Sequence, residues 1–378
     1  MSWDSGFIGM TTLFVPPKEN HLVNIIALSG LGGHAYGSFK EREGDHMWLR
    51  DALPYDLVLD STGDPIASIT IFGFESTVVN SVSTQSLSDL AVSLRDSLLP
   101  LVRSSPVNPL IFIAHSLGGL VVKELLSMLE GSVREEDKQL AHAVYGVVFF
   151  GVPHDGMDIT PLLPMVGSGP NKTLVKSMCQ ENSRVLRTLR RKFHLALGGQ
   201  KHKEVICFYE TELSPTPVMT KNGTWEMQGT PKILVTKESA TNCLPPEDGS
   251  EHVCAIARSH SDMVKFRKND PENRQTAAIN ARPIAPTRVV RDLESGDYGK
   301  QLFRTTDANE TFDIHGAKVG LCGWQVFWSG DGDGLCEVLR ECNTIPGELA
   351  EEVINQQPLR ASSKFVWTAL QSAWEVWR

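Results

Sequence analysis

Short apolar blocks separated by polar and Gly-rich stretches run along this chain up to about Asn280. Leu22 to Leu28 (LVNIIAL), Ile69 to Phe74, Leu110 to Ile113, Val144 to Val152 and Val205 to Tyr209 are rich in β-branched and aromatic residues. Such runs predict strands, and another is expected at Thr11 to Val15. Leu87 to Val102 (LSDLAVSLRDSLLPLV) carries apolar residues at three- and four-residue spacing, which predicts an amphipathic helix. Helices are also expected near Trp48, from Leu120 to about Glu130, and from Ser183 to Leu197. Arg134 to Lys138 reads as a charged loop, and Lys221 to Pro231 as a hairpin leading into Lys232 to Val235. Strands alternating with helices imply an α/β fold with a mostly parallel sheet and right-handed crossovers.

The most informative stretch is Leu110 to Leu120, LIFIAHSLGGL. An apolar strand runs into Ala114-His115-Ser116-Leu117-Gly118-Gly119, and a helix-favouring run follows. Strand, sharp turn and helix with a serine at the apex is the context of a nucleophile elbow. Only small residues fit two before and two after the serine, and here they are Ala114 and Gly118. The helix N-terminus beneath Ser116 favours negative charge. His115 must point away from the serine.

A nucleophilic serine needs a base, and the base needs an orienting acid. Glu210 follows the Val205 to Tyr209 strand, and His260 lies in a polar turn of AIARSHSDMVKF before an apparent helix. The order Ser116, Glu210, His260 is the one this fold uses. Glu212 competes with Glu210 for the acid role. His154, after another strand end, is expected to line the pocket. An oxyanion needs two backbone donors. The Leu117 amide is one. The other is assigned to Leu31, in the glycine-rich turn Ser29-Gly30-Leu31-Gly32-Gly33-His34. That turn lacks the Walker lysine and fits a dinucleotide fingerprint poorly.

Seven motifs in order carry a resemblance: LSGLGGH from Leu28, WLRDALP from Trp48, FGF from Phe72, AHSLGGLVVK from Ala114, FFGVPH from Phe149, FYET from Phe208 and SHSDMVKF from Ser259. Over roughly residues 10 to 275 they resemble the lipase-like serine hydrolases related to GPI inositol-deacylase and to the mitochondrial phosphatidylglycerol-remodelling serine hydrolase. The likeness extends to the lipase-like domain at the N-terminus of fungal STAND, NACHT-type receptors. It implies an α/β-hydrolase fold, a mostly parallel sheet flanked by helices with a helical cap insertion, and a triad on Ser116, Glu210 and His260. Ser29 departs from the pattern, since many relatives carry His there.

The domain organisation expected is a hydrolase domain over 1–280, with the cap at about 156–200, and a C-terminal extension over 281–378. In the cap, Leu162, Leu163 and Met165 are expected to wall an acyl pocket. Arg184, Arg187, Arg190, Arg191 and Lys192 recur at helical spacing and form a solvated face. The extension holds Trp324, Trp328, Trp367, Trp374 and Trp377, and Ser362 to Trp377 reads as a helix. Asp331-Gly332-Asp333-Gly334 is too short for a calcium loop, and no Walker motif is present.

Composition narrows the partners. A net charge of −9 and 41% hydrophobic residues fit an enzyme with a full core and argue against nucleic acid. No apolar run is long enough for a membrane span, and the N-terminus lacks the pattern of a signal peptide. Seven cysteines without CxxC spacing read as free thiols of a cytoplasmic protein. Neither cofactor nor metal is called for. The expected function is hydrolysis of carboxylic esters, of small molecules or lipids, through an acyl-enzyme. A signalling or binding domain with little turnover, or an acyltransferase, is the alternative. Peripheral membrane contact, and a protein partner docked on the C-terminal extension, are compatible with this composition.

Overall fold

A computed structural model describes residues 7–59, 62–103, 107–180, 183–198, 204–243 and 251–268, and the backbone of paired strands between 287 and 329. The chain forms two compact units, one carrying the first 273 residues and a second over Arg274–Ser362. The expected helix from Ser362 to Trp377 and the tryptophans Trp367, Trp374 and Trp377 lie outside the described residues, as does Asp331 to Gly334.

The first unit is built on seven strands. They are β1 (Gly9–Phe14), β2 (Val23–Leu28), β3 (Ala67–Gly73), β4 (Leu110–His115), β5 (Val144–Phe150), β6 (Glu204–Glu210) and, further on, β9 (Glu251–Ile256). The spatial order is β1-β3-β2-β4-β5-β6-β9. β1 runs antiparallel to β3, and all other pairs are parallel. This is the α/β-hydrolase fold.

Both faces of the sheet are covered, which explains why its central strands read as unbroken apolar runs. Successive side chains alternate between two cores. Ile26, Leu28, Phe112 and Ala114 belong to one, and Ile25, Ala27, Ile111 and Ile113 to the other. The short helices α1 (Trp48–Asp51) and α2 (Leu53–Asp56) bury Trp48, Leu49 and Leu53 in the second core. Helices α3 (Leu87–Arg103) and α4 (Leu117–Glu130) bury their apolar faces in the first.

Four expectations need correction. The charged stretch after Arg134 is a helix, α5 (Glu135–Ala143). Its three acids fall in the first turn, where the helix dipole stabilises them, and Asp137 makes a buried pair with Arg95 at 2.6 Å. The cap is also shorter than expected. After α6 (Leu163–Val166) and α7 (Lys172–Lys176), the basic helix α8 (Ser183–Gly198) packs on α4. Leu186, Leu189, Phe193 and Leu197 form its buried stripe, so α8 is a sheet-flanking crossover helix. Its arginines Arg184, Arg187 and Arg191 are exposed, as a solvated face requires.

The hairpin comprises β7 (Ser214–Met219) and β8 (Trp225–Lys232), and α9 (Lys237–Thr241) follows it. The hairpin thus begins at Ser214 rather than at Lys221, which lies in its turn. Finally, His260 precedes turns rather than a helix, and the strand before it, β9, has no clear apolar pattern in EHVCAI.

In the second unit, β10 (Thr287–Arg291) pairs with β13 (Thr311–His315), β11 (Glu294–Ser295) with β14 (Lys318–Val319), and β12 (Lys300–Thr305) with β15 (Trp324–Ser329). All three pairs are parallel. Among the described residues no helix is long and apolar enough to cross a membrane.

Candidate active site

The parallel strands deliver their C-terminal ends to one edge of the sheet, where open α/β sheets bind ligands. β2 ends in the Ser29-Gly30 turn, β4 in Ser116, β5 in Gly151 and β6 in Glu210. Ser116 is the N-cap of α4, at φ 51° and ψ −123°. A non-glycine residue held at positive φ is strained, and the surroundings explain how it is kept there. Its amide donates to the Phe150 carbonyl at 2.9 Å. Gly118 passes so close to β2 that a Cβ there would stand 2.5 Å from the Ser29 carbonyl oxygen. A Cβ on Gly30 would stand 2.8 Å from Ser116 Cβ. The small residues around the serine are thus required by packing.

His260 lies beside this elbow. Its Nδ1 is 2.5 Å from Glu210 Oε2, with both side chains buried. Glu210 Oε1 accepts the Leu234 amide at 2.6 Å and the Val235 amide at 3.3 Å. Glu212 is exposed and takes no part in this arrangement. The His260 amide donates to Ser214 Oγ at 2.8 Å. The turn carrying His260 is also pinned from the other side, because Trp48 Nε1 donates to the Val264 carbonyl and Lys265 Nζ to the Gly37 and Ser38 carbonyls. Burial pushes the Lys265 ammonium down to about 8. His115, expected to point away from the serine, also lines the cavity that holds Ser116, and its Nε2 meets the His260 carbonyl at 2.9 Å. Burial, reinforced by the nearby His260, holds its imidazole well below the usual histidine range.

Ser116 and His260 open into one cavity of about 450 Å³. Leu31, Met157, Leu162 and Met178 form much of its apolar wall. A more open cleft of about 700 Å³ lies elsewhere, among Asp45, Arg50, Asp51 and Lys268, and holds none of the elbow residues. Leu163 and Met165 do not line the active-site cavity: Leu163 is 37% exposed and Met165 packs against the core. Of the three expected cap residues Leu162 alone lines the cavity, beside Met157, Pro161 and Met178 of the same segment.

His154 also departs from the expectation that it lines the pocket. It is wholly buried, with Nδ1 3.1 Å from the buried Lys123 ammonium and Nε2 3.9 Å from Cys207 Sγ. His154, Cys207 and Cys243 bring three ligand-type atoms within 4.8 Å of one another. A cation there would have to sit beside the Lys123 ammonium. Burial lowers the pKa of both Lys123 and His154. The cluster reads as buried polar packing between α4, α8 and the sheet. Cys179, Cys207, Cys243 and Cys254 are not joined in disulfides.

Several site residues carry no legible sequence signal. Ser214, Leu234 and Met178 act through position alone. Gly151 does have one, since it ends a strand in FFGVPH. At φ 54°, it lets the chain turn beneath His260, where a Cβ would stand 3.0 Å from the imidazole.

No family model matches the chain. It is similar to Protein SERAC1 of Mus musculus, 32% identical over 119 residues, which is 31% of this chain and 18% of that protein. It is similar to human Protein SERAC1 at 30% identity over 118 residues, with the same coverage. The aligned stretch is therefore less than a fifth of the length of these relatives. Among solved structures, the mature lipase BlEst2 of Bacillus licheniformis matches 69% of this chain and 95% of its own, with a TM-score of 0.44 at 12% identity.

Proposed function

We propose that this chain is a serine hydrolase of carboxylic esters that works through Ser116, His260 and Glu210. The observation that carries the reading is the buried His260–Glu210 pair opening into the same cavity as a serine held at positive φ. In this reading Ser116 Oγ attacks the ester carbonyl while His260 Nε2 takes its proton. Glu210 holds the imidazole in the tautomer with Nδ1 protonated and stabilises the imidazolium that forms. The charge on the carbonyl oxygen is received by the amides of Leu117 and Leu31. Leu117 begins α4, so its amide has no partner within the helix. The Gly32 and Gly33 amides are engaged by the Ser76 and Gly30 carbonyls, which supports Leu31 as the donor from that turn. His260 then protonates the leaving alcohol, and water cleaves the acyl-enzyme by the same route. The apolar wall supports an acyl chain as the group bound beside the serine, with Leu162 and not Leu163 or Met165 as its contact from the cap.

A fluorophosphonate probe tests this directly. The chain should label at Ser116 and hydrolyse short p-nitrophenyl esters, and Ser116→Ala should lose both with its melting temperature unchanged. Equal labelling of the Ser116→Ala protein would remove the assignment.

A further inference from the structure

The hairpin that follows Glu210 has two unlike faces. Met219 stands opposite Trp225, and Pro217 opposite Met227. Opposed residues share a face, and these two pairs are two residues apart, so all four side chains lie on the same one. The other face carries Glu226, opposite Val218, and Gln228. A ribbon that is apolar on one side and polar on the other has one side to cover. Yet Met219 is 58% and Met227 53% exposed, and Trp225 is half-buried. Among the described elements, β7 and β8 pack chiefly on each other. A two-stranded ribbon is marginal alone in water, and an exposed apolar patch marks a site of association.

One end of this face is a wall of the active-site cavity. Pro215, Pro217 and Met227 line the cavity that holds Ser116, as Leu162 of the cap does. The base of the ribbon is fixed there: Ser214 Oγ accepts the His260 amide, and Lys232, at the end of β8, pairs with Asp158 of the cap at 2.6 Å. Met219 and Trp225 continue the same face past the cavity, toward the turn that holds Lys221. A folded protein seated on this face would close the mouth that it borders. A lipid layer would instead fill that mouth with the acyl groups an apolar cavity takes. None of the four side chains on the face is charged, and a net charge of −9 gives no pull toward anionic headgroups. The Trp225 indole, apolar in body with one N–H, suits a boundary between acyl chains and water.

We propose that this face docks the chain on a lipid surface, with Met219, Trp225 and Met227 in the outer acyl layer and Lys221 at the headgroups. The inference rests on the ester-hydrolase reading for why a lipid surface belongs at the cavity mouth. Docked in this way, the mouth opens on the layer, and an acyl ester reaches Ser116 without crossing water. Apolar burial drives the contact, so it needs no anionic lipid and survives salt.

Flotation with phosphatidylcholine vesicles tests the docking, using full-length Ser116→Ala protein so that no lipid is cleaved. Flotation is read without catalysis, so failure of the docking and failure of ester hydrolysis are separate results. The protein should float with the vesicles equally at about 0.1 M and about 0.5 M salt, since salt screens charge and not apolar contact. Adding Met219→Ser and Trp225→Ser together should lower its partition coefficient at least about tenfold, the scale of one lost apolar side chain. Met219→Ser alone, at an exposed position, should lower it in part, which keeps the test readable should the double change disturb the ribbon. Val218→Ser, on the opposite face, should float like its parent. Protein that does not float, floats as well after both changes, or detaches at the higher salt overturns the proposal. So does a dimer that forms without vesicles and is lost in the double variant, since a second copy would then cover the face.

Discussion

Glu210 divides its carboxylate between two tasks: Oε2 stands 2.5 Å from His260 Nδ1, while Oε1 is held by the Leu234 and Val235 amides. The second task fixes the first, since a carboxylate anchored by two backbone donors cannot rotate away from the imidazole. Glu210→Gln keeps an acceptor for those amides but can present the wrong group to Nδ1. Turnover of p-nitrophenyl butyrate should fall by about 10⁴, the loss typical of a misoriented triad histidine. Glu212→Gln should leave the rate within about twofold, the expectation for an exposed side chain outside the triad. The reverse ranking would move the acid to Glu212.

Chain-length preference should follow the cavity wall. Each buried CH₂ contributes about 0.8 kcal/mol, or about fourfold in kcat/KM. Activity is expected to rise from acetyl to butyryl and hexanoyl esters. Leu162→Ala and Met178→Ala should flatten that rise and spare acetate. Leu163→Ala and Met165→Ala should leave it intact. A chain that turns over acetate alone would contradict an acyl-binding wall.

Gly30 offers a test of geometry without touching any reacting group. Gly30→Ala places a methyl 2.8 Å from Ser116 Cβ and 3.3 Å from Oγ. Probe labelling should slow by at least about tenfold, the scale of a sub-ångström misplacement at a reacting centre. Circular dichroism should still report a folded chain. Unchanged labelling kinetics would mean that the turn yields, and that Leu31 is not held where an oxyanion donor must be.

Stability should fall on acidification. His115 and His154 are kept neutral by burial, with pKa values well below their ordinary 6.5. As pH drops through 6.5, the unfolded chain takes up these protons and the folded chain does not. Each site then removes up to about 1.4 kcal/mol per pH unit until its folded value is reached. Urea unfolding at pH 7.5 and 5.5 measures the slope, and His115→Gln should make it shallower. An unaltered slope in that variant would mean that His115 titrates freely.

The elbow and the meeting of Glu210 with His260 were legible because each rests on local sequence: an apolar strand, small residues flanking a serine, an acid at a strand's end. What stayed hidden depends on partners far along the chain. The acids of α5 look like a solvated loop until Arg95 is found opposite Asp137. The α8 stripe looks like a lid until Phe193 and Leu197 are found against α4. His154 follows a strand end, as pocket residues do, yet Lys123 draws it into the core.

The two ends of the segment from Met157 to Cys179 are tied to each other by two hydrogen bonds. The Met157 amide donates to the Met178 carbonyl, and the Gln180 amide to the Met157 carbonyl. Just upstream, Ser239 Oγ donates to the Gly156 carbonyl and accepts the Asp155 amide, which fastens the base of the segment to α9. A substrate too large for the cavity cannot be admitted by unzipping the cap from its root. Midway along, Asn171 Nδ2 donates to the Thr77 and Val78 carbonyls, and Val166, Leu174 and Val175 are buried in the core, so the segment is held along its length as well. Leu162 lies between the root and the Asn171 anchor, so the width it leaves beside Ser116 is set by the fold itself and the cavity selects its ligands by size.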